Sequence, residues 1–429
     1  MEKSLGITLL GHGTVGRAVR EIVTGRGELL ARRVGRSVSV RHVVVRNPDA
    51  HDIPTTTDAD AAITDDATDV VVELIGGTTT ARELVGLALR HGKHVVTANK
   101  SLIAAHGPEL FALAREHGVS IGFEASCAGG IPIVHALTAG LLANDHHALV
   151  GILNGTCNFI LTKMTSEGAD YDAALAEAQA AGFAEADPTL DVTGRDAAQK
   201  LAILASLAFD TAVSEKHVHC EGIAGLDAAD IGFASELGYV VKLLAVGERE
   251  AGQLALRVAP HLVHERDVLA GVSGPFNAVS VWGDALGHSL HYGRGAGGSA
   301  TASAVVADIL GIALGTVPAA FAKLAAFAEN PGADHRPIDQ LRGRYYVRCH
   351  ARDEPGVMSK VAAALGAEGI SLASVMQHEA PGATVPIVVT THEAEESAVD
   401  RAIVKIDALD AVAGSPVKLR ILDMPEEKL

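Results

Sequence analysis

Short runs of β-branched and aliphatic residues alternate with stretches of helical periodicity along the first third of the chain. "GITLLG", "SVSVRHVVVR", "DVVVELIG", "KHVVTAN" and "GVSIGFEA" have the length and composition of strands. "VGRAVREIVTGRGELLARR", "TARELVGLALRHG" and "KSLIAAHGPELFALAREHG" place apolar residues at helical spacing between them. This alternation predicts crossover units and a parallel sheet covered by helices on both faces.

The pattern changes after "GGIPIVHALTAGLLAND". Residues 146–295 mix strands such as "ALVGILNG" and "FNAVSVWGD" with several helices, which predicts an α+β unit. "GRGAGGSATASAVVADILG" is a glycine loop opening a helix that returns the chain to the first unit. "AENPGADHRPIDQL" is polar and bears Pro and Gly, so it reads as a linker. Strand 344–351, helix 356–368, strands near 370–379 and 383–391, helix 394–407 and strand 412–421 follow. That βαββαβ order is ferredoxin-like. The expected boundaries are 1–130 with helices from 299–328, then 131–298, a linker at 329–342 and a last domain at 343–429.

With 429 residues, 48% of them hydrophobic and 20% charged, the chain has ample material for several packed cores. Aromatic residues are only 3%, so those cores are aliphatic and base-stacking platforms are not expected. There are 35 basic against 52 acidic residues, a net charge of -17 that repels nucleic acid and anionic membranes. Cys127, Cys157, Cys220 and Cys349 lie far apart with no C-x-x-C pair, which fits a reducing compartment. Apolar runs such as "LAILASLAF" are too short to span a bilayer, and "MEKSLGITLLGHG" enters a glycine motif without a leader-like stretch. A soluble, cytoplasmic protein is expected.

"GHGTVG" joins a predicted strand to a predicted helix. In this context Gly11 permits the tight turn, Gly13 admits a pyrophosphate and Gly16 lets helix and strand pack closely, with the helix N-terminus facing the phosphates. This is a dinucleotide fingerprint and predicts a Rossmann-type domain. The second strand ends in "VVVRN", where NAD sites usually carry Asp or Glu; Arg46 instead favours the 2′-phosphate of NADP, unless it is simply a solvated arginine. Lys100 closes "HVVTANK" at the carboxyl edge of the sheet, where it either reaches a ligand or begins the next helix.

"GFAEADPTLDVTGRDAAQKLAIL" crowds Glu185, Asp187, Asp191 and Asp196 ahead of Lys200. Asp196 and Lys200 are four apart on a predicted helix and share a face. Leu201, Leu204 and Leu207 bury most of that helix, and a lysine there needs a partner. Spacing alone allows a surface salt bridge as readily as a site that binds an ammonium group and moves a proton. Asp187-Pro188 is a turn that aims Glu185 back toward the helix. The histidines of "HVHC" and "HSLHYG" lack metal-ligand spacing.

The chain resembles the homoserine dehydrogenase family in its form with a C-terminal ACT domain. The likeness rests on "GHGTVG", "VVELIGG", "TANKSLIAAHGPEL", "FEASCAGGIPI", "GILNGTCNFILTKM", "AEADPTLDVTGRDAAQKLAIL", "FNAVSVWGDALG" and "YGRGAGGSATASAVVADI", in the family's order. The tail "YYVRCHARDEPGVMSKVAAALGAEGISLASVMQ" is similar to an ACT module. The resemblance implies an α/β protein: a Rossmann-type parallel-sheet domain, a mixed α+β catalytic and dimerisation domain, and a ferredoxin-like ACT domain. It also implies reversible NAD(P)-dependent interconversion of L-aspartate 4-semialdehyde and L-homoserine, on the route to threonine, methionine and isoleucine.

By the same resemblance Lys200 is the general acid/base and Lys100 sits near the reacting oxygen and the nicotinamide. Glu185 and Asp196 bind the amino-acid end of the substrate, with Asp191 ordering the site. Thr14, Val15, Gly182 and Gly297 line the cofactor, with NADP preferred over NAD. A monovalent cation, sodium by family habit, falls to the Glu124 carboxylate and the carbonyls of Cys127, Gly129 and Ile131. The ACT module implies an amino-acid effector, threonine, held near Asp353, Gly356 and Val357 of "DEPGV", and a homodimer or homotetramer. Cys127, Cys157 and Ala300 depart from the family pattern, and Ala300 is expected to loosen the glycine loop. Two other readings are a non-catalytic sensor that binds nucleotide and amino acid, and a dehydrogenase for an amino acid of another length.

Overall fold

The computed structural model describes residues 4–324, 333–378 and 382–425. β1 (Leu5–Leu10), β2 (Val38–Val44), β3 (Val70–Glu73), β4 (His94–Thr97) and β5 (Ile121–Gly122) form a parallel sheet in the order β2-β1-β3-β4-β5. All five coincide with the runs predicted from composition. Every residue of β1 and β3 is buried, because helices cover both sides, whereas β2 at the sheet edge is only partly buried and exposes Arg41. The order reverses beside β1, so the crevice at its carboxyl end is the ligand position of an open α/β sheet.

One helical expectation is corrected. "VGRAVREIVTGRGELLARR" is two helices, Thr14–Gly25 and Gly27–Val34, broken at Arg26 between two glycines. Helix Gly298–Leu314 packs on Thr14–Gly25, and its Ala302, Val305 and Ile309 share a core with Ile7, Leu9 and Val72 of the parallel sheet. The chain thus crosses back to the first layer at the predicted glycine loop. The last residues of the expected helical return, 325–328, lie outside the described residues.

The remaining strands are β6 (His146–Ile152), β7 (His219–Cys220), β8 (Tyr239–Glu250), β9 (Gln253–His264), β10 (Phe276–Gly283), β11 (Gly287–Arg294), β12 (Asp334–His335), β13 (Arg342–Ala351), β14 (Leu372–Gln377), β15 (Val385–Thr391), β16 (Ala394–Glu395) and β17 (Val412–Ile421). They build one sheet whose main path is β11-β10-β6-β8-β9-β17-β13-β15-β14. The last four positions, with helices Val357–Gly366 and Glu396–Asp407, are the predicted ferredoxin-like module.

Two features went beyond expectation. The module is not hung on a free tether: β17 adds to β9 in parallel, with Arg420 opposite His261 and Ile421 opposite Leu262. The expected linker, described from residue 333 onward, also commits to structure, because β12 pairs with Gln253 and Leu254 of the same strand. Arg348 of β13 seals this junction through a two-pronged pair with Asp230 of helix Ala228–Glu236, at 2.6 and 2.8 Å, and the Tyr346 hydroxyl donates to the same carboxylate at 2.8 Å. Among the described residues no single helix is long and apolar enough to cross a membrane.

Candidate active site

The glycine fingerprint sits at the β1 terminus with each glycine required for a different reason. Gly11 holds φ at 99°, a region that favours glycine. A Cβ on Gly16 would lie 2.3 Å from the Gly11 carbonyl oxygen, whereas one on Gly13 would meet nothing within 4 Å. The turn therefore packs tightly on the sheet side and stays open over the helix end. Helix Thr14–Gly25 starts there with no side-chain cap on its first amides, which leaves its positive end for an anion. The N-terminus of helix Gly298–Leu314 arrives beside it. A Cβ on Gly298 would touch Thr14 Cγ2 at 2.8 Å, and Gly297, with φ of 115°, makes the approach. This open, donor-rich crevice fits a dinucleotide pyrophosphate.

Neighbouring loops are held by buried polar bonds. Glu73, fully buried, accepts from the amides of Ile75 and Gly76 at 2.9 and 3.0 Å and from the Thr97 hydroxyl at 2.6 Å. Arg46 lies just past β2, exposed and without an ion pair among the described residues. His12, inside the fingerprint, was not singled out from the sequence; its Nδ1 lies 3.4 Å from Nδ1 of His51.

The acid–lysine cluster assembles from three segments. Helix Arg195–Ala208 is apolar over most of its surface and buries Asp196 at its N-terminal turn. Lys200, one turn on, donates to Asp196 Oδ2 and to the Leu153 carbonyl, both at 2.7 Å. Its remaining N–H meets no acceptor among the described residues. Lys100 opens helix Lys100–Glu116, where Asn99 caps the first turn, and its Nζ lies 3.0 Å from Asp196 Oδ1. One buried carboxylate thus spans two lysines, one from the nucleotide-binding layer and one from its own helix. Burial works to raise the Asp196 pKa, but Lys200 and Lys100 outweigh it and hold it well below the usual carboxylate range. Burial works to lower the Lys100 pKa, and Asp196 outweighs that, leaving it raised.

Asp191, in helix Thr189–Val192, joins the cluster through Asn154, whose Nδ2 donates to Asp191 Oδ1 at 2.7 Å and to Asp196 Oδ2 at 2.8 Å. Burial raises the Asp191 pKa; the Asn154 hydrogen bond opposes the rise and the nearby Asp196 charge adds to it. Asn154 was missed in the sequence, although "LNGT" ahead of a helical run is an N-cap signal. Glu185 is not brought into the cluster: it is exposed, and its carboxylate has no partner among the described residues. The Asp187-Pro188 turn does not aim it inward, because Asp187 instead accepts from the Thr189 amide at 3.1 Å. Gly182 is also exposed, ending helix Tyr171–Ala180.

In the loop that brings Cys127 Sγ to 4.0 Å from the Lys200 carbonyl, Ala128 and Gly129 take φ of 51° and 58°. The carbonyls of Cys127 and Gly129, in buried residues, accept no hydrogen bond among the described residues, a donor set that fits a monovalent cation. The Ile131 carbonyl already accepts from Ile133 at 2.8 Å. The Glu124 carboxylate is engaged as well, accepting from the amides of Val134 and His135 at 2.9 and 2.7 Å, with the His135 ring 3.2 Å away. Asp308 completes this buried group, 3.0 Å from His135 Nε2. Burial pushes the Glu124 carboxyl up to about 7, against the pull of His135. Ala300 sits in the first turn of its helix against Gly130, so the loop is tightly packed there.

In the C-terminal module Gly356, with φ of 88°, precedes helix Val357–Gly366. Asp353 is exposed and accepts from Gln377 at 3.2 Å. Val357 buries its side chain in the module's core, so only its backbone is available to a ligand.

The chain is similar to known proteins along nearly its whole length. Residues 11–124 match the model described as homoserine dehydrogenase, NAD binding domain; residues 132–310 match homoserine dehydrogenase; residues 345–408 match the ACT domain. A homoserine dehydrogenase of Pseudomonas aeruginosa is 44% identical over 429 residues, covering 98% of this chain and 99% of its own. The crystal structure of a homoserine dehydrogenase from Thiobacillus denitrificans has a TM-score of 0.92 at 43% identity, covering 98% and 99% of the two chains. A hyperthermophilic archaeal homoserine dehydrogenase in complex with NADPH has a TM-score of 0.61 at 28% identity, over 72% of this chain and 97% of that one.

Proposed function

The chain belongs to the homoserine dehydrogenase family, and on that premise we propose that it interconverts L-aspartate 4-semialdehyde and L-homoserine with NADPH preferred over NADH. The observation that carries the assignment is the Lys200 ammonium, fixed at 2.7 Å from both Asp196 and the Leu153 carbonyl with one N–H left for a ligand. A bound nicotinamide cofactor supplies the hydride. Lys200 meets the oxygen of the substrate carbonyl, stabilises the negative charge that grows on it and gives it a proton. In the reverse direction Lys200 takes the hydroxyl proton, so oxidation is favoured by alkaline conditions.

Asp196 keeps both lysines in place and, with Asp191, gives the substrate ammonium a negative surface. Glu185 stands outside the cluster, and its part in binding the same ammonium is proposed on the family resemblance alone. Lys100, paired with Asp196 at 3.0 Å, sits near the reacting oxygen and the nicotinamide. Thr14, Val15, Gly182 and Gly297 border the cofactor, and Arg46 pairs with its 2′-phosphate. The free carbonyls of Cys127 and Gly129, with Ile131 and Glu124, hold sodium or a similar ion.

The ACT module binds threonine near Asp353, Gly356 and Val357 and acts through the shared sheet, in a homodimer or homotetramer. We read the enzyme as cytoplasmic and as working on the route to threonine, methionine and isoleucine, a reading supported by its family membership. Rates with homoserine and NADP or NAD, with and without threonine, test the reading. Cofactor binding without turnover would favour a sensor. Unchanged activity and melting temperature with threonine would remove the effector.

A further inference from the structure

Asn154 lies between strand β6 and helix Gly155–Glu167, and its side-chain oxygen and both amide hydrogens are engaged. The Oδ1 accepts from the Cys157 amide at 2.7 Å and caps the helix. That bond fixes the amide's orientation, since a backbone N–H cannot face an NH2 group. Both hydrogens of Nδ2 are thereby turned to the other side, one to Asp191 Oδ1 and one to Asp196 Oδ2, at 2.7 and 2.8 Å. The residue is 4% exposed, so these contacts are made away from bulk solvent. The preceding residue supplies the Leu153 carbonyl that holds Lys200. Two consecutive residues therefore grip the lysine and its carboxylate.

The cap alone does not call for asparagine. Serine and aspartate cap helices about as well. What only asparagine offers at this reach is one acceptor for the helix together with two donors for two acids. Without those donors the Asp191 and Asp196 carboxylates repel each other across a buried gap, and Asp196 is free to turn away from the lysines.

We infer that Asn154 is a positioning residue of the reaction: it clamps Asp191 and Asp196 side by side so that Asp196 presents one oxygen to Lys100 and the other to Lys200. This rests on the acid/base reading of Lys200 given above. The cap and the clamp are separable by substitution. Asn154→Ser keeps an oxygen for the Cys157 amide but cannot reach either acid. Asn154→Asp also keeps the cap, yet sets an acceptor against two carboxylates until the introduced carboxyl takes a proton and becomes a donor.

The test is steady-state kinetics of the full-length enzyme across pH, with thermal melting alongside. For Asn154→Ser the clamp predicts a protein that still folds but melts at a lower temperature, because two buried carboxylates lose a donor, and a loss in kcat, measured well below that melting point, of between about tenfold and about a hundredfold. For Asn154→Asp it predicts a ratio of variant to wild-type kcat that climbs as pH falls, a trend that a helix cap does not produce. Wild-type kcat in Asn154→Ser, or a flat ratio in Asn154→Asp, would overturn the inference; if the aspartate variant does not fold, the serine variant decides. Lys200→Ala is measured beside them. If it is inactive while Asn154→Ser is normal, the clamp fails and the role of Lys200 stands; if it retains turnover, the acid/base reading fails instead.

Discussion

Lys100 and Asp196 meet at 3.0 Å across the boundary between the parallel sheet's helical layer and the helix that carries Lys200. Their side chains are 27% and 7% exposed, so the pair is largely shielded from solvent and its geometry is held. The nucleotide-binding layer and the helix that carries Lys200 are thus tied together at the Asp196 carboxylate.

Replacing Lys200 by Ala is expected to lower kcat by about 10²-fold or more, while the dissociation constant for NADPH stays close to wild type. Lys100→Ala should lower kcat and also raise the KM for substrate, because it releases one oxygen of Asp196. Initial rates and a fluorescence titration of cofactor check both; near-normal turnover in Lys200→Ala would remove its role.

Arg46→Ala is expected to weaken NADPH by about tenfold or more, the worth of one charge-assisted hydrogen bond, and to leave NADH nearly unaffected. The ratio of the two cofactor affinities is the measurement. Equal losses for both would mean that Arg46 does not meet the 2′-phosphate.

Lys242 is 2% exposed, with the Val272 carbonyl at 2.5 Å and the Asn158 carboxamide oxygen at 3.3 Å, and no carboxylate pairs with it among the described residues. Burial pushes its pKa down to about 8. Below that value both folded and unfolded chains carry the proton, and the cost of burying the charge is fully present. Between it and the unfolded value of about 10.4 the unfolded chain binds more protons, so stability rises with pH. The Lys242→Met variant should therefore gain on wild type at pH 7, by at most on the order of 3 kcal/mol. The gap should close as pH rises from 8 toward 10. Denaturant titrations at several pH values would show it, and a pH-independent gap would count against the buried charge.

Asp230→Ala leaves the Arg348 guanidinium and Tyr346 hydroxyl without their shared acceptor at the junction with the ACT module. Arg348 then keeps only the longer pair with the more exposed Asp227 at 3.7 Å, so the loss is expected to approach the roughly 3–5 kcal/mol of a broken buried pair. The double variant Asp230→Ala with Arg348→Met should lose less than Asp230→Ala and Arg348→Met added together. Equilibrium unfolding gives the three values, and simple additivity would show that the pair is not coupled.

Much of this molecule was legible in local sequence rules. Strands β1–β5 were readable because β-branched runs sit between helical stretches, and the turn at Gly11, Gly13 and Gly16 because each glycine answers to a constraint within the same few residues. The pairing of Asp196 with Lys200 was readable as well, since four residues on a helix share a face. The break at Arg26 was not, because apolar spacing continues through it and only packing of the second segment shows that the axis has turned.

By itself, then, the sequence determined the elements, their order, the glycine turn and the neighbouring acid and lysine, all set by forces between residues close in the chain. The tertiary structure alone decided that Lys100 reaches Asp196, that Asn154 holds two acids from segments 37 and 42 residues away, that Glu185 stays outside the cluster, and that β17 extends the sheet at β9. Those outcomes depend on how layers stack and which strand edge is left open. Hydrophobic periodicity shows which face of an element is buried, but not which distant segment covers it.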